Sequence, residues 1–262
     1  MTPTRNLPVL VRLLGALGAV LTLASCSGPS LERAALQPRV TGLIAKPRET
    51  VAGEKLLQRD AVIAFYQDRK FEPAWDLGPG AASIREAIAG IGQDGLDPDE
   101  YHLARIDSLL AQRKSRRSDA LDADLEILFS DAVAGIIDHA RYGRVLPASL
   151  DKHWNVDPRK GEPPLAEALA RVAKSVSPAA GLEKEKLDHF MYVGLKGELD
   201  RLSTIAKQGG WAAIPAGRVL VPGARDPRIA LVRRRLVATG ELAEGKATPA
   251  DSSAYDADRS AS

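Results

Sequence analysis

The spacing of apolar residues predicts a mainly α protein built around one central helix. Between Ala120 and Tyr142 the apolar positions recur every three or four residues, which is the period of an α-helix. The stripe consists of Leu125, Leu128, Ala132 and Ile136. Further apolar residues widen it, as is typical of a helix covered by neighbours on most sides. Small residues such as Gly135 would let those neighbours approach closely.

Shorter segments with the same period predict six further helices. They lie at about 56–72, 83–92, 97–110, 165–176, 187–207 and 227–238. The stretch from Trp211 to Pro222 is short, apolar and interrupted by turn residues, which favours one short hairpin. The three tryptophans, Trp75, Trp154 and Trp211, are expected to pack around the domain rather than to line a site.

The two ends of the chain lack such a period. Residues 26–53 are polar and contain Pro29, Pro38, Gly42 and Pro47, so they are expected to form a tether. Residues 243–262 are rich in alanine, aspartate and serine, which predicts a disordered tail. The expected fold is therefore a helical domain between a disordered tether and a disordered tail.

Residues 1–25 have the pattern of a secretory signal. Arg5 and Arg12 precede an apolar run that ends at Ala24 and is too short to span a bilayer, and the segment contains no acid. The sequence Leu23-Ala24-Ser25-Cys26 resembles a bacterial lipobox, in which the cysteine is acylated and becomes the mature N-terminus. The alternative is an ordinary signal peptide with a chance cysteine. The lipobox interpretation makes Cys26 the lipidation site.

An acylated Cys26 would place the protein on the periplasmic face of a membrane. Each buried CH₂ of an acyl chain contributes about 0.8 kcal/mol, so several chains would hold it there permanently. Ser27 follows in place of an aspartate, which favours the outer membrane. No later stretch reaches the length of a membrane span, so the acyl chains would be the only membrane contact.

Composition narrows the chemistry. The 36 Lys and Arg residues fall to 34 when Arg5 and Arg12 are removed, which matches the 34 acids and gives no case for nucleic-acid binding. Four scattered histidines and a single cysteine predict no metal site and no cofactor. Among the histidines, His139 lies beside the apolar stripe and is expected to be a hydrogen-bonded packing residue.

The acids between Asp94 and Glu100 do not fit a calcium loop. An EF-hand starting at Asp94 would need an oxygen ligand at its third position, which is Leu96. A turn and a helix cap at Asp97-Pro98 explain the cluster. A pair of glycosidase carboxyls is a weaker alternative, since any acid-rich helix start offers such pairs.

Several motifs follow one another between residues 56 and 242. They are Phe65-Tyr66 with Pro73-Ala74-Trp75; Gly95-Leu96-Asp97-Pro98-Asp99-Glu100-Tyr101; Arg141-Tyr142-Gly143-Arg144-Val145-Leu146-Pro147; Trp154; Gly209-Gly210-Trp211 with Ile214-Pro215-Ala216-Gly217; and Arg233-Arg234-Arg235-Leu236 with Gly240-Glu241-Leu242. In this order and spacing they resemble the N-terminal region of the large murein L,D-transpeptidases of Gram-negative bacteria. The resemblance implies a helical scaffold domain over 54–215 and the start of a truncated peptidoglycan-binding module over 216–242.

The same family has a catalytic domain that this chain does not match. Its Ser/Thr-His-Gly-Cys motif supplies the cysteine that attacks a peptide donor, and no such motif occurs in the 262 residues. Cys26 lies far upstream, in the signal. No catalytic residue is therefore assigned, and the chain is not expected to be an enzyme.

Three hypotheses remain. The first is a lipid-anchored, non-catalytic scaffold module that acts on the cell wall, with peptidoglycan or a wall-synthesis protein as its partner. The second is the front part of an L,D-transpeptidase, because Tyr255-Asp256, which leads into the binding module in that family, lies six residues before Ser262. The third is an unrelated helical lipoprotein with a small-molecule groove.

Overall fold

The computed structural model describes residues 33–246 and 253–255 and confirms a mainly α protein. Its α-helices are α1 (Arg33–Ala45), α2 (Arg59–Asp68), α3 (Pro79–Ala89), α4 (Leu103–Ser115), α5 (Asp119–Tyr142), α6 (Pro147–Leu150), α7 (Leu165–Ala173), α8 (Pro178–Glu185), α9 (Phe190–Lys207) and α10 (Arg228–Ala238). Three 3₁₀ turns, Gly90–Asp94, Pro98–Tyr101 and Glu244–Lys246, complete the helical structure. The signal segment and Cys26 lie outside the described residues.

Helix α5 is the centre of the domain. Leu125, Leu128, Ala132 and Ile136 are all fully buried, which confirms the predicted stripe. Six helices pack on α5, namely α1, α2, α3, α4, α7 and α8. Close approach at Gly135 is also confirmed, because a Cβ atom there would lie 2.9 Å from Cδ1 of Leu57.

Both ends of α5 are defined by local chemistry. The Ser118 hydroxyl accepts a hydrogen bond from the backbone N–H of Leu121 at 3.3 Å, which satisfies a donor of the first turn. Gly143 ends the helix with φ of +82°, a backbone angle that glycine adopts without strain. The chain then turns away from the helix axis and begins the segment that forms the candidate site.

The predicted tether over 26–53 is wrong between Arg33 and Ala45, because these residues form α1. Leu36, Val40 and Leu43, spaced four and three residues apart, are buried in the core. Arg39 adds a hydrogen bond from Nε to Asp124 of α5 at 2.7 Å. The folded domain therefore begins at least twenty residues before the predicted boundary at 54.

The predicted hairpin over Trp211–Pro222 is also wrong. Within the described residues there is no strand, and the β-pairing consists of two isolated bridges, Val51 with Glu54 and Arg225 with Ala254. Pro215 and Pro222 lack the backbone N–H that a paired strand would donate, which disfavours a hairpin in this segment.

Helix α9 lies at the edge of the domain and is attached mainly through one carboxylate. Asp94 accepts a hydrogen bond from the Tyr192 hydroxyl at 2.9 Å and pairs with Nζ of Lys196 at 2.6 Å and of Lys186 at 2.5 Å. Burial opposes the charge on Asp94, but these three partners outweigh it and hold the pKa of the carboxyl below its usual value. None of the α9 residues, all of them described, is buried.

Candidate functional site

A groove of about 840 Å³ opens beside the C-terminal end of α5. Helix α5 supplies Asp138 and His139 on one side, and the chain between Arg144 and Arg159 supplies the other. This second wall includes α6 and the half-exposed Trp154. The groove therefore lies between a rigid helix and a long connecting segment that follows it in the chain.

An ion pair fastens the connecting segment to α5. Arg159 donates two hydrogen bonds to Asp138, from Nε at 2.9 Å and from Nη2 at 2.7 Å. The guanidinium also lies over the Tyr142 ring, 5.2 Å from its centroid. Gln58 donates to the same carboxylate from Nε2 at 3.2 Å. The two parallel hydrogen bonds from Arg159 to Asp138 fix the orientation of the connecting segment as well as attracting it to α5.

Trp154 is 49% exposed, so the expectation that it packs in the core is wrong. Its indole Nε1–H donates to the carbonyl oxygen of Val156 at 2.7 Å, and its backbone N–H donates to that of Asp151 at 3.0 Å. The segment after Gly143 has no apolar period and several prolines, so no buried helix face places the indole inside. The ring is instead held at the surface by its own loop.

The other two tryptophans differ from each other. Trp75 is buried and donates from Nε1 to the Ser130 hydroxyl at 2.9 Å, which confirms its packing role. Trp211 is 38% exposed, contrary to expectation, and lies under the guanidinium of Arg235 at 4.7 Å from the centroid. Trp154 is thus the tryptophan that lines the groove.

His139 is a hydrogen-bonded packing residue, as predicted, but it also lines the groove. Its Nδ1 lies 2.7 Å from the Tyr101 hydroxyl, and the two rings meet edge to face. Burial raises the pKa of Tyr101 to about 12 and lowers the pKa of His139, so both side chains are neutral at pH 7. With the Tyr101 hydroxyl as donor, the histidine proton sits on Nε2, which has no partner among the residues that the structure describes.

Two ion pairs lie at the groove. Arg144 binds Glu100 at 2.6 Å, and Arg159 binds Asp138. The first pair joins two motifs that lie far apart in the sequence, the one ending at Tyr101 and the one starting at Arg141. Asp157, which also lines the groove, accepts a hydrogen bond from the backbone N–H of Arg159 at 2.9 Å.

Asp97 caps its turn as predicted, by accepting from the Asp99 N–H at 3.1 Å, although α4 begins only at Leu103.

Buried acids on α5 were not singled out from the sequence. Asp131 is fully buried and accepts hydrogen bonds from the backbone N–H groups of Leu57 and Gln58, both at 2.7 Å. It also meets Nε2 of His102 at 2.8 Å. Gln58 lines the groove, so Asp131 positions this part of the groove wall by binding the backbone of Gln58. The signal available in the sequence is an acid placed within the most apolar helix.

Glu126, one turn earlier, holds a different loop. It accepts from the backbone N–H groups of Ala74 and Trp75 and from the Tyr66 hydroxyl at 3.2 Å. Its Oε2 atom is buried without a hydrogen-bond partner. Burial raises the pKa of this carboxyl to about 7 despite the two backbone donors. These contacts hold the Pro73-Ala74-Trp75 motif against α5 and so stabilise the fold on that side of the helix.

In the described part of the chain, no group of three or more His, Cys, Asp or Glu residues is arranged to hold a metal ion. Over the same residues, none of the helices has the length and apolar character needed to cross a bilayer.

Residues 60–199 match the model of a family described as Scaffold domain. The match runs from α2 into α9 and covers more than half of the 262 residues. It includes the whole of the connecting segment between Arg144 and Arg159. The chain belongs to the Scaffold domain family. Comparison with curated proteins and with solved structures finds no match. The family assignment supports the predicted scaffold domain, and its relation to L,D-transpeptidases remains an expectation from the motifs.

Proposed function

We propose that this chain is a lipid-anchored, non-catalytic scaffold module of the L,D-transpeptidase type that binds peptidoglycan through the groove beside α5. The observation that carries the proposal is the half-exposed Trp154, which is fixed by its own loop and lines a groove with both polar and apolar walls. Tryptophan is enriched at contact surfaces, because it combines a large apolar ring with a polar N–H group. The motif order and the Scaffold domain match support the same assignment.

The anchor in this proposal is Cys26. Only seven residue steps separate Cys26 from Arg33, the first residue of α1. A fully extended chain covers about 3.5 Å per residue, so α1 would begin at most about 25 Å from the acylated cysteine. In this proposal the acyl chains hold the module to the periplasmic face of the outer membrane.

The cysteine content supports the non-catalytic part of the proposal. A thiolate nucleophile needs a cysteine beside a base, and the chain has no cysteine after position 26. Binding rather than acyl transfer is the activity that the groove supports, since its histidine is neutral and hydrogen-bonded to Tyr101.

Co-sedimentation with purified peptidoglycan sacculi tests the binding function. The mature chain carrying Cys26→Ser, which keeps it in solution, should pellet with sacculi, and addition of Trp154→Ala should leave it in the supernatant. Trp211→Ala is the matched control, because Trp211 is also partly exposed but lies outside the groove. If Cys26→Ser protein stays in the supernatant, the binding function is wrong.

Cell fractionation tests the anchor separately. The unmodified chain should be recovered with outer membranes and its Cys26→Ser variant in the soluble periplasmic fraction. Equal membrane recovery of the two would refute lipid anchoring while leaving the groove assignment untouched.

A second candidate function, docking to a wall-synthesis protein, is favoured by α9. Phe190, Val193 and Leu195 are largely exposed on this helix. Exposed apolar side chains clustered on one element are typical of protein contacts. A photo-crosslinker at position 193 should then yield a discrete adduct with a wall-synthesis protein in cells, whereas one at the exposed Glu162 should not. Identical patterns from both positions would remove this candidate.

A further inference from the structure

The geometry points to the glycan strand, rather than the peptide stem, as the part of peptidoglycan that the groove binds, with N-acetylated sugar rings stacking on Trp154. This inference rests on the proposed function only in naming peptidoglycan as the source of the sugar. The chemistry of the groove would suit any oligosaccharide of N-acetylated sugars.

The hydrogen bonding of Trp154 favours a flat, partly apolar ligand. Its only polar atom, Nε1, is already used by the Val156 carbonyl oxygen, so the indole offers a ligand its ring surface and no hydrogen bond. The C–H face of a pyranose ring suits such a surface. The hydrogen bond also fixes the ring before a ligand arrives, which lowers the entropic cost of binding.

The paired charges disfavour the carboxylates of a peptide stem. A free carboxylate needs a partner of opposite charge when it leaves water. The two arginines of the groove, Arg144 and Arg159, already pair with Glu100 and Asp138. A stem carboxylate would have to compete with these acids for the guanidinium groups, whereas a neutral N-acetylglucosamine unit can enter without disturbing either pair.

The polar groups that remain suit an acetamido sugar. With the Tyr101 hydroxyl donating to Nδ1, His139 carries its proton on Nε2, and this N–H can donate to a hydroxyl or to an acetamido carbonyl oxygen. The side-chain amide of Asn155 also lines the groove and can both donate and accept. The exposed side chains of Leu146 and Val156 offer apolar surface for the acetamido methyl group.

The size of the groove sets how much ligand it holds. Its volume of about 840 Å³ lies within the range of small-molecule sites, about 300–1,000 Å³. The site would therefore hold a short stretch of a strand, and oligomers should bind as well as long strands.

Calorimetric titration of the mature Cys26→Ser chain with soluble oligosaccharides tests the inference. The probes are a chitin hexamer, a cellulose hexamer that lacks the acetamido groups, amidase-treated glycan strands, and free stem peptide. The amidase-treated strands lack stems and carry a lactyl carboxylate on alternate sugars, so every second sugar in them is neutral. We expect the chitin hexamer and the stripped strands to bind, and the cellulose hexamer and the stem peptide to bind at least tenfold more weakly.

Two pairs of variants, at Trp154 and at His139, and one control variant at Trp211 locate the site. Trp154→Ala should weaken chitin-hexamer binding at least tenfold, Trp154→Phe should retain most of it, and Trp211→Ala should leave it unchanged. His139→Ala should lower the ratio of the affinity for the chitin hexamer to that for the cellulose hexamer. His139→Gln, which keeps an N–H donor, should restore part of this ratio.

The possible results separate this inference from the proposed function. Binding of sacculi and of free stems, without binding of stripped strands, would overturn the glycan assignment and leave the proposed function standing. Binding of the chitin hexamer without binding of sacculi would overturn the proposed function alone. Glycan binding unaffected by Trp154→Ala would overturn the placement of the site in this groove.

Discussion

Nε2 of His102 lies 2.8 Å from Oδ2 of Asp131, and this contact joins the start of α4 to the buried side of α5. Nδ1 of the same ring lies 3.2 Å from Oε2 of Glu54, so the imidazole bridges two carboxylates. The backbone of His102 has φ of +62°, in the left-handed region that few non-glycine residues occupy. Burial alone would lower the pKa of His102, but the hydrogen bonds to Asp131 and Glu54 outweigh it and raise that pKa.

This bridge predicts a pH-dependent stability. The folded-state pKa of His102 exceeds the unfolded value of about 6.5, so the protonated ring stabilises the fold fully below pH about 6.5. That contribution is lost as the pH rises through the folded-state pKa. The variant His102→Asn, which tolerates the left-handed backbone, should therefore cost more unfolding free energy at pH 6 than at pH 9. Urea unfolding at the two pH values measures it, and an equal cost at both would contradict the prediction.

Glu126→Gln isolates the second buried titration. The pKa of this carboxyl is about 7 in the folded state, above its ordinary 4.5, so the charged form opposes folding and stability falls as the pH rises from 4.5 through 7. Glutamine keeps the acceptor for Ala74 and Trp75 without the charge. The variant should be more stable than the wild type at pH 8, by up to about 3 kcal/mol, and lose that advantage at pH 5. The exposed Glu162→Gln serves as control.

Replacement of Trp75 should destabilise the fold, whereas replacement of Trp154 should weaken binding with little loss of stability. Trp75→Ala removes a buried indole and its bond to Ser130, and should cost about 3–5 kcal/mol of unfolding free energy. Trp154→Ala removes a half-exposed ring and should cost less than about 1 kcal/mol. Thermal and urea unfolding check both values. A cost of several kcal/mol for Trp154→Ala would restore the packing role that the sequence suggested.

The chain should form no acyl-enzyme. Because no cysteine follows position 26, incubation of the mature Cys26→Ser chain with a carbapenem should leave its intact mass unchanged. An L,D-transpeptidase with an intact Ser/Thr-His-Gly-Cys motif, treated in parallel, should gain the mass of the drug. A covalent adduct on this chain would show that a different nucleophile is active.

The central helix was predictable because its apolar residues are dense and regularly spaced. Leu125 to Ile136 leave no alternative to a buried stripe. Helix α1 was not predictable by the same means, because Pro38 and Gly42 interrupt a short stripe of three apolar residues. Tertiary packing on α5 outweighs the low local helix propensity there.

The groove was less accessible to sequence reasoning than the fold. The sequence predicts a packing role for both Trp154 and His139, because tryptophan is strongly apolar and His139 lies beside the apolar stripe. Apolar periodicity gives no information on the irregular segment that contains Trp154. The groove depends on the long-range pair of Arg159 with Asp138, which joins a loop to a helix 21 positions away. Only the folded chain brings these residues together.

The indole N–H signals in an ¹H–¹⁵N NMR spectrum test the central claim most directly. The chain has three tryptophans, and replacement of each by phenylalanine assigns its signal. On addition of amidase-treated peptidoglycan strands to the mature Cys26→Ser chain, the Trp154 signal should shift progressively, while those of Trp75 and Trp211 stay in place. A Trp154 signal that does not move at saturating ligand would contradict the claim that its groove binds the cell wall.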